Sequence, residues 1–212
     1  MGSRRRIALF GGTFDPPHVG HSVVAGEIAR YGAVDEVLLV VANDPWQKSS
    51  ERRVTPAPVR LEMARAAVAP LVGVGVSDIE IRRGGPSYTF DTVTADEFAS
   101  DDVVLVVGSD TARRLDGWHR AADLAHLVEV LVVDRATDGS VTDQADPSTA
   151  IPWRLARLAV PRVDVSSTMV RARVAEGLGA SGLVTSEVDR IIVEHRLYAS
   201  EGAGSTRSLG HR

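Results

Sequence analysis

Eleven consecutive residues carry the densest chemistry in this chain: Gly11-Gly12-Thr13-Phe14-Asp15-Pro16-Pro17-His18-Val19-Gly20-His21. They follow a short apolar run, Ile7-Ala8-Leu9-Phe10, and lead into an apolar-periodic stretch ending near Gly32. That order reads strand, glycine turn, helix. Glycines let backbone N–H groups approach a ligand closely, and the helix N-terminus behind them favours negative charge. His18 and His21 are three apart and share one face of the first helical turn. A glycine turn with two imidazoles over a helix N-terminus is a place to hold phosphates. It is not a P-loop, which wants a Gly-Lys-Ser/Thr ending, and it lacks the Gly-x-Gly-x-x-Gly spacing of a dinucleotide site. The plainer alternative is a tight turn with two surface histidines.

A second constellation is Val165-Ser166-Ser167-Thr168-Met169-Val170-Arg171. Ser167 is expected to cap the helix that follows, with Arg171 one turn in. Hydroxyls, free terminal amides and a guanidinium would make a second anion site. The competing reading is an ordinary serine cap with a solvent-facing arginine. Between the two lie a Gly84-Gly85-Pro86 turn running into Tyr88-Thr89, with Thr89 as expected cap, and Gly108-Ser109-Asp110 followed by Leu115 and Trp118. Trp118 sits between Gly117 and His119 in a break between two expected helices, which suits a rim position better than a core one.

The elements around these segments alternate. Strands are expected at 6–10, Glu36 to Val41, Val74 to Ile81, Val103 to Val107, Leu127 to Val133 and Leu155 to Val160. Helices are expected at 18–31, 58–69, 90–99, 110–116, 120–126, 167–176 and 185–195. Most strands are unbroken Val/Leu/Ile runs, as for parallel strands covered on both faces; Val74 to Arg83 interleaves polar residues and suits a more exposed strand. Alternation of this kind implies βαβ units, hence one α/β domain with a doubly wound, mostly parallel sheet and a small helical C-terminal part, over 1–199. Asp134 to Pro147 reads as a surface loop, and Ser200 to Arg212, rich in Gly and Ser, as a disordered tail.

Thr-x-x-x-x-His-x-Gly-His resembles the signature of the nucleotidyltransferase superfamily of adenylyl and cytidylyl transferases. The whole run Gly-Gly-Thr-Phe-Asp-Pro-x-His-x-Gly-His looks most like its bacterial nicotinate-nucleotide adenylyltransferases, and Ser-Ser-Thr-x-x-Arg resembles the partner motif of that family. The likeness spans about residues 6 to 198. It implies a Rossmann-like nucleotidyltransferase fold and transfer of the adenylyl group of ATP to nicotinate mononucleotide, for NAD biosynthesis. By the same resemblance His18, His21 and Arg171 are catalytic. Gly11, Gly12, Thr13, Phe14, His18, His21, Gly108, Asp110, Arg135, Ser166, Ser167, Thr168 and Arg171 face ATP. Asp15, Trp46, Lys48, Tyr88, Thr89 and Trp118 face the acceptor; Trp46 and Lys48 belong to a basic loop, Asn43 to Thr55, like the family's mobile acceptor loop. Mg²⁺ is expected to arrive with ATP, held by phosphates and waters rather than by protein side chains. Two departures stand out. Asp134-Arg135-Ala136-Thr137 lacks the Pro and Gly that commonly follow the arginine, and Arg190 replaces a usual tyrosine in the closing helix, Val188 to Tyr198, which is read as structural.

Composition narrows the remaining choices. With 212 residues, 44% hydrophobic, 25% charged and a net charge of −4, the chain has no basic excess to neutralise a nucleic-acid backbone. The absence of cysteine excludes disulfides, thiolate metal sites and cysteine catalysis. No apolar stretch approaches the roughly 20 residues of a membrane helix, and the basic start, Arg4-Arg5-Arg6, is followed by too short an apolar run for a signal peptide. The cytoplasm is the expected compartment, and homo-oligomerisation is compatible with the sequence. Related readings stay open: a superfamily transferase using phosphopantetheine or nicotinamide mononucleotide, a class I aminoacyl-tRNA synthetase fragment, and a non-catalytic nucleotide-binding regulator. The last would be expected to lose the histidines or Arg171, and both persist.

Overall fold

Period-two sorting of apolar runs builds two cores in this chain. In the computed structural model, which describes residues 4–44, 54–136 (side chains to 134) and 150–200, the runs form one sheet of six parallel strands. They are β1 (Arg6–Gly12), β2 (Glu36–Val41), β3 (Val74–Ser77), β4 (Asp102–Gly108), β5 (Glu129–Ala136) and β6 (Arg154–Pro161). Alternate residues point to opposite faces. Ala8, Val104 and Val106 join one buried cluster, whereas Ile7, Leu9, Val103, Leu105 and Val107 join the other. An unbroken run of valines therefore fills both sides at once.

The first face is covered by α1 (Val19–Tyr31), α2 (Ala57–Val68), α7 (Ser167–Ala175) and α8 (Ser186–Glu194), which contribute Ile28, Met63, Val170 and Ile191 to its core. The second face is covered by shorter pieces: α3 (Ile79–Arg83), α4 (Thr89–Val93), α5 (Ser109–Ala112) and α6 (Ala121–Leu127), with 3₁₀ turns at Asp96–Phe98 and Leu115–Gly117. The doubly wound α/β class is as expected.

The strand order is β3-β2-β1-β4-β5-β6. The chain runs outward from β1 in one direction and from β4 in the other, so the switch point lies between β1 and β4. Open α/β sheets bind ligands there, beyond the carboxyl ends of the strands. Gly12 ends β1 and Gly108 ends β4, which puts both glycine turns at that crevice.

Several boundaries move. β3 lies at the sheet edge as its polar interleaving suggested, but it ends at Ser77, and residues 79–83 are helical. The spacing changes from two to three between Val76 and Ile79, Ser77 Oγ accepts the Ile79 N–H at 3.3 Å, and Arg82 pairs with Asp78 at 2.7 Å, all of which favour a turn over an extended strand. The helix expected over 90–99 splits after Val93. Thr94 Oγ1 donates to the Phe90 carbonyl at 2.9 Å, and Ala95 is extended (φ −67°, ψ 146°); hydroxyl competition for backbone carbonyls weakens a helix at such a point. The helix expected over 110–116 likewise becomes α5 and a separate 3₁₀ turn. Leu127 closes α6 instead of opening β5.

Candidate active site

The signature loop is held by four residues from three other parts of the chain. The Asp15 carboxylate is buried and accepts the Tyr198 hydroxyl at 2.7 Å and the Thr55 N–H at 3.5 Å. Its carbonyl accepts from Arg171 Nη1 at 2.8 Å, and the Pro16 carbonyl accepts from Ser167 Oγ at 2.8 Å. Burial, with the adjacent Asp15 carboxylate, raises the Tyr198 phenol well above its ordinary value. Tyr198 therefore stays protonated and donates. The two motifs read as facing one ligand are thus in direct contact, through Arg171 and Ser167 on one side and the Asp15-Pro16 backbone on the other.

Within the second motif the roles shift by one residue. Ser166 caps α7, in extended conformation (φ −135°, ψ 154°), its Oγ accepting the Met169 N–H at 3.1 Å. Ser167, expected as the cap, instead reaches across to Pro16. Thr168 Oγ1 accepts from Arg171 Nη2 at 3.0 Å. Arg171 is thereby a structural clamp as well as a candidate phosphate ligand.

His18 occupies the cap position of α1 (φ −127°, ψ 169°). The His18 N–H donates to His21 Nδ1 at 3.1 Å, and the two rings lie 3.8 Å apart, 33° from parallel. An Nδ1 that accepts a backbone N–H leaves the proton of neutral His21 on Nε2, making Nε2–H the donor of that ring. The glycine between the histidines leaves room for the His18 ring. A methyl on Gly20 would lie 3.0 Å from His18 Cε1 and Nδ1. Both rings line a cavity of about 170 Å³ together with Phe10, Gly20, Val24, Val160, Pro161 and Val163.

Gly11 and Gly12 serve different ends. A methyl at Gly11 would meet nothing within 4 Å, whereas one at Gly12 would fall 2.8 Å from the Phe14 ring. Phe14 is itself buried, with φ +49°, and packs edge-on against Phe10 and His21. Its ring is core packing behind the histidines, so any contact of Phe14 with ATP would fall to its backbone. The Asp15 side chain, expected at the acceptor, is likewise committed to Tyr198 and Thr55 and 1% exposed.

A second cavity, of about 290 Å³, opens at the switch point and is lined by Gly11 and Gly12 of β1, Gly108 of β4, and Ser87, Thr89, Thr92, Trp118 and Glu80. Trp118 and Thr89 also line a wider cavity of about 640 Å³ with Tyr88, Thr111, Arg113, Arg114 and His119. Trp118 is half-buried at the end of its 3₁₀ turn, the rim position expected of it. Tyr88, not Thr89, is the residue preceding α4, and its ring stacks on His119 at 4.6 Å between centroids. α4 has five residues, so little macrodipole accumulates at Thr89, and its donors must act through direct hydrogen bonds. Asp110 is exposed and paired with Arg113 at 3.1 Å, while Ser109 hydrogen-bonds the buried Asp134, which Arg157 engages at 2.8 Å. Arg135 lies in β5; its side chain, and Trp46 and Lys48, lie outside the described residues.

Sequence reasoning missed three participants. Arg60, 1% exposed on α2, donates to the carbonyls of Thr55 (2.7 Å), Thr13 (2.8 Å) and Asn43 (3.0 Å). It shares the buried face of α2 with Met63, Ala64 and Ala67, and an arginine in an apolar stripe is the signal that could have found it. Glu80, buried on α3, accepts the Thr92 hydroxyl at 2.7 Å at the wall of the 290 Å³ cavity. Tyr198 anchors Asp15 from the far end of the chain.

A parallel sheet with two mutually braced anion motifs at its switch point is the architecture of a nucleotidyltransferase. Residues 9–173 match the cytidylyltransferase-like family. The chain is 36% identical over 196 residues to a protein of Albidiferax ferrireducens named probable nicotinate-nucleotide adenylyltransferase, covering 92% of this chain and 98% of that protein. It is 34% identical over 199 residues to one of Bacillus pumilus with the same name, covering 92% and 100%. The fold is similar to the Plasmodium falciparum nicotinic acid mononucleotide adenylyltransferase complexed with NaAD, with a TM-score of 0.73, 16% identity and coverage of 92% and 97%. This chain belongs to the nicotinate-nucleotide adenylyltransferase family.

Proposed function

We propose that this chain transfers the adenylyl group of ATP to nicotinate mononucleotide, giving nicotinate adenine dinucleotide and pyrophosphate. The observation that carries the reading is the direct bracing of the Gly11–His21 loop by Ser167 and Arg171, beside a cavity walled by Gly11, Thr89 and Trp118. A phosphate oxygen of the acceptor attacks the α-phosphorus as the bond to the bridging oxygen breaks and pyrophosphate leaves. A phosphomonoester is largely ionised near neutral pH, so no strong base is required, and catalysis is mainly in-line positioning and charge neutralisation.

His21 Nε2–H and the His18 ring would donate to oxygens of the α-phosphate, and each such donor is worth about 10²–10³ in kcat. Arg171 and the exposed Thr168 would meet the leaving phosphates. Trp118 would stack on the pyridine ring, worth about 1 kcal/mol beyond area burial. Among the described residues no three His, Asp or Glu side chains gather as a metal cage. Mg²⁺ would enter on the nucleotide to screen its phosphate charge, and no step is derived through it. No described helix is long and apolar enough to cross a membrane, and the cytoplasm is the compartment we assign.

Pyrophosphate release from ATP, measured with nicotinate mononucleotide, nicotinamide mononucleotide and phosphopantetheine in turn, tests the reading. Turnover with the first is expected to dominate. Turnover with phosphopantetheine alone would overturn the acceptor assignment.

A further inference from the structure

We propose that Arg60 is a positioning residue that fixes the donor side and the acceptor side of the site relative to each other. The inference deepens the adenylyl-transfer reading and rests on it for its kinetic arm. The three carbonyls that Arg60 engages come from different segments: Thr13 follows β1, Asn43 follows β2, and Thr55 precedes α2. Thr13 lies in the signature loop, one residue after the glycines. Asn43 leads to the other side. Its Nδ2 donates to the Gly85 carbonyl at 3.0 Å and its N–H to Ser87 Oγ at 2.9 Å, and Ser87 lines both acceptor-side cavities with Thr89.

A planar guanidinium presents its donors in a rigid fork, so the carbonyls it binds are held at fixed separations in one plane. Here that plane is buried and each partner is a backbone atom, so movement of one loop is transmitted to the other. Arg60 lines none of the three cavities described; it acts through the loops that do. In-line transfer depends on alignment, and a misplacement of about 1 Å can cost about 10² in rate. A lysine at 60 would keep the charge but, with one compact head on a flexible stem, cannot hold three carbonyls in one plane.

The test is Arg60→Lys, in the full chain. Expected is a fall in kcat of about 30-fold per folded enzyme, with the dissociation constant for ATP and the KM for the acceptor each within about threefold of wild type. A kcat within twofold of wild type, whatever the melting temperature, would reduce Arg60 to a folding role and overturn the proposal. A loss confined to ATP affinity would overturn it too. Should Arg60→Lys not fold, Asn43→Ala removes the link to Gly85 while leaving the Asn43 carbonyl on Arg60, and the same kcat-only loss is expected; full turnover refutes the coupling. Hydrogen exchange separates this inference from the assigned reaction, because it needs no turnover. Arg60→Lys should accelerate exchange in both residues 11–16 and residues 84–89, and acceleration in neither or in only one segment refutes the tie.

Discussion

Gly20→Ala isolates the placement of one imidazole from everything else in the fold. Gly20 lies in the first turn of α1, and its φ is not in the left-handed region, so alanine fits the backbone without strain. On helix propensity alone the change gains up to about 1 kcal/mol. The added methyl, however, sits 3.0 Å from His18 Cε1 and Nδ1, whereas carbon contacts are most favourable at about 3.5–4.0 Å. The ring is a terminal group, so it gives way, by roughly half an ångström, instead of the helix. Scaled from about 10² for a 1 Å misplacement, that predicts a kcat lower by about tenfold. The melting temperature should stay within about 3 °C of wild type, since an opposing gain and loss of under 1 kcal/mol each move it little in a chain of this size. The assay is pyrophosphate release under saturating substrates. A double-mutant cycle sharpens it: in a His18→Ala background, Gly20→Ala should have no further effect on kcat, because the group it displaces is gone. Unchanged kcat in the single variant, or an additive loss in the double variant, would refute the claim that His18 acts from this position.

The remaining expectations follow from the same contacts. His18→Ala and His21→Ala should each lower kcat by about 10² or more, as for loss of a transition-state donor, and near wild-type turnover by folded variants would remove them from the mechanism. Arg171→Ala should lower kcat/KM for ATP about 30-fold and, because Nη1 holds the Asp15 carbonyl, also destabilise by roughly 1–2 kcal/mol; a fall in melting temperature with intact ATP kinetics would leave Arg171 as a clamp alone. Nicotinate mononucleotide should exceed nicotinamide mononucleotide by at least about tenfold in kcat/KM, since donors built for a carboxylate pair poorly with an amide; equal activity would assign the cavity to a neutral acceptor, which the nearby Glu80 carboxylate would favour. Tyr198 ionises near pH 10 when unfolded and higher when folded, so above about pH 10 the unfolded state loses a proton that the folded state keeps, and stability falls. Tyr198→Phe lacks that linkage, and its deficit in melting temperature against wild type should narrow from pH 8 to pH 11; a constant deficit would contradict it.

The fold was legible because its strands are runs of Val, Leu and Ile between glycine turns, a pattern with few other uses. Boundaries failed where hydroxyls or spacing changed the local balance, as at Ser77-Asp78-Ile79 and Thr94-Ala95. The two motifs were legible because their residue types and spacing are specific. Which of their polar atoms are spoken for was not, since Ser167 with Pro16, and Arg171 with Asp15, are partners 151 and 156 positions apart. Tyr198 and Asp15 are 183 apart, and nothing local in a closing Leu-Tyr pair announces that reach.

A motif matched by spacing therefore mixes two populations that only the packing separates. Gly11 and Gly108 face open space, where a methyl would meet no atom within 4 Å, and the His18 and His21 rings line a cavity of their own. Phe14, Asp15 and Ser167 spend their side chains inward, on edge-on ring packing, a phenol and a carbonyl. The inward group is what makes the outward group competent. A glycine loop free to move would lose most of the advantage of presenting its amides at fixed distances, because the gain from a preorganised phosphate site lies in donors that need no reorganisation as the reaction proceeds. The buried carboxylate of Asp15 and the buried guanidinium of Arg60 meet opposite ends of one residue, Thr55, through its N–H and its carbonyl. Each ion is costly to bury alone, and here their hydrogen bonds converge on the rigidity of the signature loop.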